Sequence, residues 1–244
     1  MTWTQIAAQG GSRADVTGAV VFGTEIHCVF AGDSSLQKPD GAGGWTQVAA
    51  AAVTQTYRGD SPIVYSGSLY AILKAPTAGL TSGGKLHQLV SGAWSTTNTP
   101  SGTTNVLAVT NGARAFTITT TGSLFEYVGV VSMTQRSAST AGVPPQAVIG
   151  FGTNIWAGFT DSTLRYVGLN GSSGTAWTTA ATLSGESVTA LGDHGGELYV
   201  GTNIGKLYKW NGASLDLQLT LTSGKPITSI LSFNSKVYCG ISAT

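Results

Sequence analysis

Charge is what this sequence has least of. Asp, Glu, Lys and Arg make up 9% of its 244 residues, against about 25% in an average soluble domain. That shortage argues against long amphipathic helices, whose outer faces need charge. The formal net charge is +1 and no basic run occurs, so the clustered Lys and Arg on which phosphate recognition rests are missing. Cysteines number two and histidines three, and no spacing among them resembles a zinc or calcium motif. No Walker loop or dinucleotide fingerprint appears, so no cofactor or metal is expected. No stretch approaches the ~20 apolar residues that span a bilayer. Met1-Thr2-Trp3-Thr4-Gln5 has neither the positive nor the apolar region of a signal peptide. Export by lysis or in a particle is therefore expected, with the cytoplasm as the other setting.

What the chain has in abundance is glycine, 34 residues, with Ser, Thr and Ala in place of charge. Short strands joined by Gly-rich turns suit that composition. An apolar–aromatic–small triplet, with His once replacing the aromatic, recurs as Ile26-His27-Cys28, Leu69-Tyr70-Ala71, Ala115-Phe116-Thr117, Ile155-Trp156-Ala157, Leu198-Tyr199-Val200 and Val237-Tyr238-Cys239. The spacing of roughly 40 residues is that of a four-stranded blade. A Leu-centred third strand follows at Leu36, Leu86, Leu124, Leu164 and Leu207, and a fourth strand often opens on Trp, at Trp45, Trp94 and Trp177. Six registers agree, which predicts one all-β domain, a six-bladed β-propeller. Its blades cover 16–58, 59–101, 102–141, 142–184, 185–223, and 224–244 together with 1–10.

The ends carry the most specific signal. Trp3-Thr4-Gln5-Ile6-Ala7-Ala8 nearly repeats Trp45-Thr46-Gln47-Val48-Ala49-Ala50, an outer strand, while Pro226–Ser232 and Lys236–Ile241 read as first and second strands only. The N-terminal strand is thus expected to complete the last blade and close the ring, which removes exposed sheet edges. No Leu-centred third strand remains for that blade. It either has three strands, the favoured reading, or accepts one from a partner by β-augmentation. Cys28 and Cys239 occupy one repeat column, so rotational symmetry should keep them from facing each other, and two buried free thiols are expected.

Several strings resemble known motifs. Arg58-Gly59-Asp60-Ser61-Pro62 resembles the integrin-binding tripeptide and is expected in an inter-blade loop, although Gly59 also falls on the recurring Gly of the repeat. Asn170-Gly171-Ser172-Ser173-Gly174-Thr175-Ala176-Trp177 partly resembles the Asp-box turn of sialidase-like propellers, with Ser172 in the Asp position. The repeat as a whole is similar to propeller families of the kelch, Asp-box and tachylectin kinds. Low charge with abundant Ser, Thr and Gly resembles the appendage proteins of bacterial viruses. A sialidase would need converging arginines and a tyrosine nucleophile with an acidic partner. Arg114, Arg136 and Arg165 fall on second, fourth and third strands and are not expected to converge.

Catalysis is accordingly not expected. The expected function is a binding or structural propeller, a virion-associated adhesin or decoration protein contacting glycan or protein surfaces. The alternatives are a glycan-active hydrolase and an intracellular interaction scaffold, since the fold hosts all three. Candidate ligand contacts are Arg58, Asp60, Asp33, Asp161 and Asn203 on loops, and Trp210, the aromatic least constrained by the repeat. Expected partners are other subunits of an assembly or a surface glycan, with no nucleic acid and no membrane insertion.

Overall fold

A computed structural model describes residues 16–30, 33–42, 44–49, 58–74, 85–91, 93–96, 105–128, 132–140, 142–170, 174–233 and 235–241. Among them every regular element is a strand. Four strands, β1 (Val16–Phe22), β2 (Glu25–Phe30), β3 (Asp33–Pro39) and β4 (Trp45–Ala49), form the first antiparallel sheet in chain order. The second is β5 (Arg58–Tyr65), β6 (Ser68–Lys74), β7 (Lys85–Val90) and β8 (Ala93–Thr96). The third is β9 (Asn105–Asn111), β10 (Arg114–Thr119), β11 (Leu124–Tyr127) and β12 (Met133–Ser137). The fourth is β13 (Pro145–Phe151), β14 (Asn154–Phe159), β15 (Thr163–Gly168) and β16 (Thr178–Thr182). The fifth is β17 (Val188–His194), β18 (Glu197–Thr202), β19 (Lys206–Trp210) and β20 (Leu215–Thr220). A two-stranded sheet, β21 (Ile227–Phe233) with β22 (Lys236–Ile241), ends the described chain.

Each apolar–aromatic–small triplet lies in a second strand, and each Leu-centred segment in a third. The Arg58–Pro62 string departs from expectation. Its backbone belongs to β5, with Arg58 opposite Lys74 and Asp60 opposite Ile72, and the register shifts between Asp60 and Ile63. A bulge lets a strand absorb such residues without ending. The segment 1–15, which carries the proposed closing strand, lies outside the described residues.

Two compact units emerge from the packing, 1–115 with 127–133, and 116–126 with 134–244. In the first, β1 packs on β5 and β5 on β9. Its core gathers Val29, Leu36, Leu69, Ala71 and Leu73 in one cluster and Ile63, Tyr70, Ile72, Leu86 and Tyr127 in another. In the second unit β13 packs on β17 and β17 on β21. There Trp156, Leu164, Leu183, Val188, Leu198 and Val200 form the larger cluster, and Ala190, Leu207 and Ile227 the smaller.

Glycine sets how closely those sheets approach. A Cβ on Gly201 of β18 would lie 2.6 Å from Ile227 Cγ2, and one on Gly158 of β14 would overlap Val188 still more. Both glycines sit one residue beyond the small member of the triplet, against the first residue or two of the next sheet's inner strand. The turns between second and third strands repeat as well. Gly122, Ser162 and Gly205 have φ of 77, 66 and 77°. Each donates its N–H to the carbonyl three residues back, on Thr119, Phe159 and Thr202 respectively. Thr119 and Thr202 reinforce that turn by accepting the N–H of Ser123 and Lys206 at 3.1 and 3.2 Å. Cys28 and Cys239 are both free thiols; Cys28 is buried as expected, whereas Cys239 is half-buried.

Two stability predictions follow from this packing. Gly158→Ala lowers the unfolding free energy by about 1–3 kcal/mol through overpacking. Gly168→Ala, whose Cβ would meet nothing nearer than 3.8 Å, changes it by less than about 0.5 kcal/mol in the same urea titration. His87 on β7 has a buried Nδ1 without a hydrogen-bond partner. Burial, aided by Lys85, pushes its pKa from 6.5 down to about 4. The unfolded chain therefore protonates His87 near pH 6.5 and the folded chain only near pH 4. Stability is complete above that window and falls as pH drops through it, by at most about 3 kcal/mol. Urea titrations at pH 7 and pH 4.5 should show a fall that shrinks in His87→Gln.

Candidate functional site

The fifth sheet carries a cleft at the end where its β17–β18 and β19–β20 connections lie. Antiparallel pairing aligns Tyr199, Lys209 and Asp216 in one row across β18, β19 and β20, and Leu198, Trp210 and Leu215 in the next. Alternation sends successive residues to opposite faces, so Lys209 belongs to a polar face and Trp210 to an apolar one. Trp210 packs on Trp156 with ring centroids 5.4 Å apart, and Trp156 in turn on Tyr166 at 4.8 Å. At the strand ends the two faces border a single cleft of about 480 Å³, with Phe151 and Trp210 as its aromatic side. Glu197, Lys209, Asn211 and Asp216 are its polar side, and Gly196 and Gly212 lie at the turns.

The polar side is an ordered network. Lys209 Nζ donates to Glu197 Oε1 at 3.0 Å, and the Tyr199 hydroxyl donates to Glu197 Oε2 at 3.2 Å. The Lys209 hydrogen bond holds the Glu197 carboxyl below its ordinary range, and the same bond, with Asp216 adding to it, raises the Lys209 pKa. Asn211 Nδ2 donates to both oxygens of Asp216, at 3.0 and 3.1 Å. Its Oδ1 accepts the N–H of Ala213 and Ser214 at 2.9 and 2.8 Å, closing an Asx turn.

The first sheet supplies an internal comparison. Its Lys38 Nζ donates to Glu25 Oε1 at 2.7 Å from the positions that Lys209 and Glu197 occupy in the fifth. Asp40 Oδ1 closes a related turn one residue longer, accepting from Ala42 and Gly44 at 2.8 Å. Ion pair and Asx turn thus recur in the first and fifth sheets, whereas Ser68 with Gln88, and Asn154 with Tyr166, hold the ion-pair positions in the second and fourth. Trp210 and Asp216 are not shared with the first sheet, where Pro39 and Thr46 stand in their places, although the third sheet has Tyr127 at the Trp210 position.

The other sequence candidates lie elsewhere. Asn203 is at the opposite end of the fifth sheet from Trp210, where its Oδ1 accepts the Ser187 N–H at 2.8 Å. Asp161 occupies the corresponding turn of the fourth sheet. It accepts from Thr163 Oγ1 at 2.5 Å and pairs with Arg165. The hydrogen bonds of both residues are thus committed to turn geometry. Arg58, Asp60 and Asp33 lie on strand backbone whose side chains are outside the described residues. Sequence reasoning singled out Trp210 and missed Glu197, Lys209, Asn211 and Asp216. The available signal was departure from the repeat at Asp216, visible only once β20 is aligned with β4.

Two further arrangements bear on chemistry. Glu186, 7% exposed, accepts from Lys206 Nζ at 2.5 Å and from the Tyr208 hydroxyl at 3.1 Å, beside a second cleft of about 400 Å³. Burial first, and then Glu186, raises the Tyr208 pKa, so its phenol stays protonated and is a poor nucleophile. His194 Nδ1 lies 2.7 Å from Ser232 Oγ on an exposed surface. Arg136 and Arg165 pair with different carboxylates, Glu126 and Asp161. Among the described residues no group of three or more His, Cys, Asp or Glu side chains could hold a metal ion. No helix there is long and apolar enough to cross a membrane.

No family model matches the chain, and no curated protein matches it. Among solved structures it is similar to YCF48 bound to D1 peptide, with a TM-score of 0.67 at 13% identity over 96% of this chain and 80% of that one. YCF48 from Cyanidioschyzon merolae aligns with a TM-score of 0.65 at 13% identity, over 94% and 79% of the two chains. A catalytically inactive virginiamycin B lyase from Staphylococcus aureus with quinupristin aligns with a TM-score of 0.72 at 8% identity, over 96% and 78%. These neighbours are β-propeller proteins, and at such identities they speak for the fold alone.

The two lysine–glutamate pairs of the fifth sheet should differ in weight. Lys206→Met strands the buried Glu186 carboxylate, whereas Lys209→Met leaves Glu197 half in solvent. The urea midpoint should fall clearly for the first and little for the second.

Proposed function

We propose that the chain is a non-catalytic β-propeller of six blades that works as a binding module, contacting a glycan or protein surface from the Trp210 cleft. The observation that carries this reading is the cleft itself. It combines an aromatic side, Phe151 and Trp210, with a polar side, Glu197, Lys209, Asn211 and Asp216, in one concave site. Its carboxylates are held by Lys209 and Asn211, an arrangement that positions hydrogen-bonding groups rather than freeing an acid or base for proton transfer. Loops and strand ends on a rigid scaffold are where binding residues concentrate.

The finer placement, an adhesin or decoration protein on a virus-like particle, rests on the low charge and the Ser, Thr and Gly content. Closure of the ring by residues 3–8 rests on their near identity with the segment that forms β4. A hydrolytic reading has one feature in its favour, the His194–Ser232 pair.

Binding and turnover are separated by one pair of assays. The protein should be retained on an immobilised polysaccharide or peptide and should release no product from p-nitrophenyl glycosides or esters. Product release abolished by Ser232→Ala would overturn the proposal. Deleting residues 1–10 should lower the melting temperature and promote oligomers through the freed edge of β22; a monomer of unchanged stability would contradict closure.

A further inference from the structure

We infer that the Trp210 cleft takes a neutral pyranose unit, such as a terminal or internal hexose of a glycan. This rests on the binding-module reading above and names its ligand class. A pyranose is amphipathic, with an apolar C–H face and a rim of hydroxyls that both donate and accept. The cleft is amphipathic in the same sense. Phe151 and Trp210 offer aromatic surface for C–H contacts. The same cleft is lined by groups of both hydrogen-bonding senses.

Lys209 has three N–H donors and spends one on Glu197. Asp216 is bonded by a single Asn211 amide shared between its two oxygens, together with a long 3.5 Å contact from Ser214 Oγ. A carboxylate has about four lone-pair positions, so acceptor capacity remains for hydroxyls. The volume of about 480 Å³ lies in the usual range for small-molecule sites.

Charge narrows the class. Two carboxylates, Glu197 and Asp216, face one ammonium, Lys209, leaving the cleft at −1. Uronic acids, sialic acid and acidic peptides are disfavoured by that charge. An extended peptide would gain its affinity from a sheet edge and a row of backbone partners, whereas this cleft lies at the ends of strands. The first sheet sharpens the assignment, because it has a Glu–Lys pair at the same positions and a related Asx turn but Pro39 and Thr46 in place of Trp210 and Asp216. The two substitutions that distinguish the fifth sheet are the aromatic platform and an additional acceptor.

The test is calorimetric and fluorimetric titration of the full chain with methyl glucoside, methyl galactoside, methyl N-acetylglucosaminide and methyl glucuronide, beside an immobilised peptide library. At least one neutral glycoside should bind in the millimolar range, with the glucuronide weaker by about threefold or more. Trp210→Ala should weaken neutral binding by about tenfold or more. Asp216→Asn, which keeps the ring and removes the unbalanced charge, should narrow the neutral-to-anionic preference, a change that a merely structural role would not produce. Lys38→Met in the first sheet should leave binding unchanged. Failure of folded wild-type protein to bind any neutral glycoside, or binding indifferent to both cleft variants, overturns the inference. Cleft-dependent peptide retention without glycoside binding overturns the saccharide assignment and leaves the binding-module reading standing. Hydrolysis of the glycosides overturns that parent reading instead.

Discussion

Close backbone approach between successive sheets governs the second unit. At Gly158 and Gly201 the second strand has no side chain, and Val188 and Ile227 at the start of the next inner strand occupy the space a Cβ would need. Sheets packed that tightly have little freedom to shift, since interiors at crystal-like density resist displacement. The same contact brings Trp156 of the fourth sheet against Trp210 of the fifth, so the aromatic side of the cleft inherits its position from the glycine contacts.

Most of the strand order could be read from the sequence because each blade repeats a short vocabulary under the same constraints. The Leu-centred third strands appear where expected because Leu36, Leu86, Leu124, Leu164 and Leu207 are each buried, and burial at one face is what holds a register. The turns before them show positive φ at Gly122, Ser162 and Gly205, of which the serine gives no sequence signal. The Arg58–Pro62 string shows the limit of that reading. Its Gly, Asp and Pro signal a loop, yet β5 takes them in beside a bulge, because pairing with β6 outweighs local turn preference.

The cleft was legible only in part. Trp210 draws notice in the sequence as the aromatic least constrained by the repeat, and it is the sequence candidate that lines the cleft. Asp161 and Asn203 have the composition of ligand contacts, but their hydrogen bonds are committed within turns. Glu197 and Lys209 were invisible as a pair because a salt bridge between neighbouring strands has no fixed sequence spacing. The pair recurs once, as Glu25 and Lys38 in the first sheet. What distinguishes the fifth sheet from the first is Trp210 and Asp216, where the first has Pro39 and Thr46.

The most direct test of the account is to map where a neutral sugar touches the protein. Titrating a methyl glycoside into isotopically labelled protein and following backbone amides and indole N–H signals by NMR should move Gly196, Glu197, Trp210, Asn211 and Asp216 together, with the Trp210 indole among the largest shifts. Perturbations centred instead on the Asp161 and Asn203 turns, or no localised response at saturating sugar, would contradict it.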